Sequence, residues 1–128
     1  MKYFNAFVFS SILFLSGCAG SIYDIDHQTP DQLKTANSDM VCEAAALHHR
    51  PIVIAELVRR GLIRPQYEPY VATGNIVLGM TTEEMQCTYP LVESTSDVSS
   101  MGEIIVWTDG GDLDVTTTNG IVTNVDQF

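Results

Sequence analysis

The stretch GNIVLGMTTEEMQCTYP, residues 74–90, decides how the chain is read. Thr81 is a hydroxyl cap and Glu84 lies three residues on, a capping box in which each side chain serves the other's backbone N–H. Met80 and Met85 take the apolar positions on either side of the box, a hydrophobic staple. Glu83 adds a second acid to the first turn, where the helix dipole favours negative charge. Pro90 ends the helix near Thr88, because helical geometry is disfavoured just before a proline. A helix of about seven residues does not form alone in water. Packing has to hold it, and Cys87 near its end offers a covalent hold as well.

Downstream the pattern alternates with period two. EIIVWT (103–108) reads as a strand. DLDVTTTNGIVTNVDQ (112–127) reads as two strands flanking Asn119-Gly120, a two-residue hairpin signal. Leu113, Val115 and Thr117 are expected to face one way, with Ile121, Thr123 and Val125 likewise on the return strand. Gly110-Gly111 turns the chain before this hairpin, and Leu91 to Val98 supplies a further edge strand.

Upstream the period is helical. Thr29-Pro30-Asp31-Gln32 has the form of a helix start, a hydroxyl before a proline. Asn37-Ser38 limits that helix to two turns at most. Ser38 is expected to cap the next one, whose inner face collects Met40, Val41, Ala44, Leu47 and His48. Arg50-Pro51 interrupts it, and PIVIAELVRR starts afresh. There Ile54, Leu57 and Val58 make an inner stripe, widened by Ile52 and Ala55. Arg59 and Arg60 suit the negative end of the helix dipole, and Gly61 follows as a C-terminal cap. The fold class is therefore α+β: short helices, a helical hairpin plus one capped short helix, packed on a three- to four-stranded antiparallel β-meander. Residues 30–128 are expected to form this single domain.

The N-terminus is different in kind. Met1-Lys2 is followed by AFVFSSILFL, residues 6–15. As a helix that run spans about 15 Å, half a bilayer's hydrocarbon thickness. A charged start, a short apolar centre and small residues after it describe a signal peptide over residues 1–17. Leu15-Ser16-Gly17-Cys18 resembles the bacterial lipobox at all four positions. That resemblance implies diacylglycerol on the Cys18 sulfur, cleavage before it, and an acyl chain on the new N-terminus, so the membrane is engaged through lipid at Cys18. Two or three acyl chains anchor firmly where one binds reversibly. Ala19 stands where the inner-membrane retention residue is Asp, so the outer membrane, facing the periplasm, is the expected location. Residues 18–29 then read as a lipidated, flexible tether.

Export bears on the remaining cysteines. Cys42 and Cys87 meet an oxidising compartment in an even number, and a disulfide between them is expected. Without residues 1–17 the chain keeps five basic and sixteen acidic residues, a net charge of −11. That charge repels phosphate backbones, so nucleic acid is not an expected partner. It is also uneven: from Pro65 to Phe128 there are ten acids and no Lys or Arg.

Candidate chemistry is sparse. His48-His49 follows Cys42 by six residues, but neighbours on a helix diverge by about 100° and cannot chelate one ion together. Asp109, Asp112 and Asp114 lack the spacing and closing Glu of an EF-hand and read as a polar turn. Trp107 reads as a core residue. The expected site residues are thus Cys18 for lipidation and Cys42 with Cys87 for the disulfide, with no catalytic residue, cofactor or metal ligand.

Ile76-Val77-Leu78-Gly79-Met80-Thr81-Thr82-Glu83-Glu84-Met85, then Pro90, the Trp107 strand and Thr118-Asn119-Gly120-Ile121-Val122-Thr123, resemble the small outer-membrane lipoproteins of the BamE (SmpA/OmlA) type. The likeness covers residues 74–128 plus the lipobox. Tyr89 stands where that family has Gly before the proline, Thr108 replaces an aromatic after Trp107, and the hairpin of residues 38–61 is extra. The resemblance implies a noncatalytic protein-interaction module of the envelope, in outer-membrane assembly or maintenance, with an envelope protein as partner. The alternative is an inhibitor or exclusion lipoprotein whose acidic surface binds a basic protein; a small-molecule or cation sensor is a third class.

Overall fold

The capping box forms as its spacing requires. Glu84 N donates to Thr81 Oγ1 at 3.1 Å, and Thr81 N donates to Glu84 Oε1 at 3.0 Å. Met80 and Met85 on either side are both fully buried. The protein is described here by a computed structural model over residues 22–128. The expected signal segment 1–17, the lipidation residue Cys18 and residues 19–21 lie outside the described residues.

Six short α-helices precede four strands: α1 (Ile22–His27), α2 (Pro30–Leu33), α3 (Ser38–His48), α4 (Pro51–Arg59), α5 (Glu68–Ala72), α6 (Thr82–Thr88), β1 (Val92–Ser99), β2 (Gly102–Thr108), β3 (Leu113–Thr118) and β4 (Ile121–Gln127). A 3₁₀ turn at Pro65–Tyr67 leads into α5. The sheet is an antiparallel meander in the order β1-β2-β3-β4, so the α+β architecture holds with all four strands present. No described helix is long and apolar enough to cross a membrane.

Several local expectations are corrected. The stretch through residue 29 is not all tether: α1 packs on α3, and Ile25 is buried in the common core. Residues 22–27 hold two aliphatics, Ile22 and Ile25, a single i, i+3 pair too short to announce a helix by its period, and tertiary contact makes it. Asn37, not Ser38, caps α3, its side chain accepting from Asp39 N at 2.9 Å. The α3 face that goes inward is Val41, Ala44 and Ala45, while Leu47 is exposed. In α4, Ile54 and Leu57 are buried, but Ile52 and Ala55 turn outward and Val53 and Glu56 inward. Glu56 can be buried because it accepts from Arg59 at 2.8 and 2.6 Å and from Arg60 at 2.8 Å. Gly61 does follow α4, at φ +75°, a conformation that suits glycine.

In the sheet, Val115 pairs with Val125 and Trp107 with Val115, setting those side chains on the helix-covered face. The register then shifts: Thr116 opposes Asn124, yet Thr117 opposes Val122. Thr123 is the extra residue of a β-bulge. One extra residue reverses the in/out alternation beyond it, so Val122 goes inward while Ile121 and Thr123 go out. The expectation that Ile121, Thr123 and Val125 share the inner face is corrected for the first two. Asn119 (φ +51°) and Gly120 (φ +79°) make the expected tight turn.

Candidate interaction surface

The residues that join helices to sheet come from the motif at 79–84. Gly79 N donates to Val122 O at 2.9 Å, Val122 N to Met80 O at 2.8 Å, and Thr82 N to Gly120 O at 2.9 Å. The segment thus lies along the start of β4 and satisfies the outer backbone groups of Gly120 and Val122. Behind it sits Glu84, 1 % exposed. Its carboxylate accepts from the Arg64 backbone N–H (2.7 Å), from Arg64 Nη2 (2.6 Å) and Nε (3.1 Å), and from Thr81 N. Arg64 Nη2 also donates to Gly79 O at 2.8 Å, and its guanidinium lies 4.6 Å over the Tyr67 ring. Burial pushes the Glu84 carboxyl up, but the Arg64 side chain and the Thr81 and Arg64 backbone N–H groups outweigh it and hold it below the usual range. With both oxygens engaged by donors, this carboxylate is structural. By sequence Glu84 reads as a helix cap only; Arg64 lies 20 positions away, and no local pattern announces the pair.

The other expected residues are dispersed. Cys42 on α3 and Cys87 on α6 form the expected disulfide, fastening the short helix to the longer one across a sequence separation of 45. His48 Nδ1 pairs with the buried Asp26 carboxylate and ties α3 to α1. His49 points elsewhere: in left-handed conformation (φ +51°) it ends α3, and its Nε2 donates to Thr88 O at 2.8 Å. Asp109 Oδ1 accepts from Gly111 N at 2.9 Å and Leu113 N at 3.1 Å, which shapes the β2–β3 turn. These N–H groups, Gly111 foremost, lower its carboxyl below the usual value. Trp107 is buried, its Nε1 donating to Thr117 Oγ1 at 3.0 Å.

What remains for contact is the sheet. Helices cover one face, the one carrying Trp107, Val115, Thr117 and Val122. On the other, the register lines up Thr95–Val106–Thr116–Asn124 and Asp97–Ile104–Thr118–Ile121 across four strands. This is a broad, threonine-rich face with an aliphatic centre. At its far side β1 is exposed at every one of its eight positions. No protein-family model matches the chain, and no curated protein or solved structure is significantly similar to it.

Proposed function

We propose that this protein is a noncatalytic lipoprotein of the bacterial envelope. It is anchored in the outer membrane through Cys18 and binds another envelope protein with the uncovered face of its sheet, in the manner of a BamE-type module. The observation that carries the reading is the one-sided sheet: Ile104, Val106 and Ile121 stand among threonines on a face that no described helix covers. Antiparallel sheets commonly leave one face to solvent, and that face is then mostly polar; aliphatic residues grouped at its centre suit a protein partner. The lipobox and the bridge at Cys42 and Cys87 agree on an oxidising compartment.

A second reading, the inhibitor or exclusion lipoprotein, is favoured by charge. The sheet and its turns hold seven acids and no Lys or Arg, which suits a basic partner. A photoactivatable crosslinker at Val106 or Thr116, with Asp31 as a remote control, tests the module in living cells. A discrete adduct from the sheet positions is expected, and its identity separates the two readings. No adduct from either position refutes both. The anchor is tested apart from this: Cys18→Ala is expected to abolish incorporation of labelled palmitate and leave the precursor uncleaved, and a variant that is still labelled or still processed to the parent's mature size refutes the anchor.

A further inference from the structure

We infer that β1 is a strand-addition site for an extended, cationic segment of another protein. The inference rests on the reading of the domain as an interaction module, and it names the chemistry of the partner. Three observations carry it. The sheet's two edges are treated differently: the first residues of the β4 edge, Gly120 and Val122, are bonded by the backbone of residues 79–82, whereas β1 pairs, among the described residues, with β2 alone along its whole length. An edge strand presents a row of unpaired N–H and C=O groups, a template for one more strand. Next, β1 is exposed on both faces, and its two hydrophobic side chains, Val92 and Val98, are 66 % and 76 % exposed. Met101 in the turn that follows is 79 % exposed. Last, the charge of this edge has a single sign. Glu93 and Asp97 are its ionised groups, Glu103 stands opposite Val98 on β2, and no cation occurs anywhere from residue 65 onward.

Charge selects the occupant. A second copy laid along β1 brings Glu93 and Asp97 against the same two acids, with no lysine in any register to relieve them; like charges across strands are destabilising. A cationic strand turns the same acids into favourable cross-strand pairs. Glu93 and Asp97 lie on opposite faces, since Glu93 pairs with Trp107 of the covered face and Asp97 with Ile104 of the open one. The fitting segment therefore carries Lys or Arg on both of its faces, with apolar residues to meet Val92 and Val98.

The test uses the full-length protein in detergent and three labelled peptides as long as β1. One is built of Lys and Val in equal number, one has Glu in place of Lys, and one is the Lys/Val peptide with a central proline. Binding is read by fluorescence anisotropy, and its place by backbone amide exchange. The Lys/Val peptide is expected to bind and to slow exchange within residues 92–99, while the Glu and proline peptides do neither. The double variant Glu93→Lys/Asp97→Lys, at two exposed positions, is expected to weaken Lys/Val binding about tenfold and to favour the Glu peptide. Absence of Lys/Val binding, binding without β1 protection, or equal binding of the proline peptide overturns the proposal. So does a dimer whose β1 amides are protected with no peptide present. Adducts from Val106 in cells combined with failure here leave the module reading standing and remove this one alone.

Discussion

Replacing Arg64 with alanine isolates the contact on which the joint between helices and sheet depends. The Glu84 carboxylate is buried, and Arg64 supplies two of its side-chain donors as well as a backbone N–H. In Arg64→Ala the backbone donors of residues 64 and 81 remain, but the countercharge is gone. Stripping one partner from a buried ion pair costs about 3–5 kcal/mol. The Arg64 side chain is itself 42 % exposed, so water reaches the vacated position and the expectation is the lower end, about 3 kcal/mol. A domain of this size has a stability of about 5–15 kcal/mol, so the loss is a large share. Glu84→Gln removes the charge and disturbs the capping box, at about 2 kcal/mol. In the double variant the two losses are not additive, and urea unfolding of all four proteins at neutral pH measures the coupling.

The acid limb gives an independent readout. Glu84 is held below its ordinary value of 4.5 in the folded protein. Its contribution is therefore present above that pH and is lost as pH falls toward the folded value. In Arg64→Ala, burial acts with less opposition, so the variant loses less stability between neutral and acid pH than the parent does. A loss under about 1 kcal/mol for Arg64→Ala, the value of an exposed ion pair, together with additive single losses, refutes the reasoning.

Cys42→Ala/Cys87→Ala, or reduction, is expected to lower stability by about 4 kcal/mol from the entropy of a loop of that length, read as a lower denaturation midpoint; an unchanged midpoint contradicts the bridge's role. Gly79 has φ +90°, and a Cβ there would come 2.6 Å from Tyr67 Oη. Gly79→Ala is thus expected to cost about 2 kcal/mol, and Tyr67→Phe to recover the steric part but not the backbone part; equal costs in both backgrounds would speak against the clash. Hydrogen bonds from Arg59, then Arg60, lower Glu56 to about 2 against a desolvation that raises it. Its stabilisation is complete above the ordinary value of 4.5 and fades as pH drops toward 2. Glu56→Gln is expected to flatten that part of the acid unfolding profile, measured by circular dichroism, and an unchanged profile rejects the assignment.

Sequence alone determined whatever rests on neighbours in the chain. The capping box of Thr81 and Glu84, the Met80/Met85 staple, the cap at Thr29, the turn at Asn119-Gly120 and the strand order all follow from spacings of a few residues, where backbone geometry and side-chain reach leave little choice. Contacts at long range were decided only by tertiary structure. Burial of Ile25 makes a helix where no period is visible, and the Thr123 bulge reverses which residues of β4 face the core. Arg64 reaching Glu84, and residues 79–82 bonding the start of the β4 edge while β1 stays open, depend on where distant elements meet. Facing direction in a strand changes with a single inserted residue, and burial of a charge depends on a partner that can come from any part of the chain; neither is encoded in a local window.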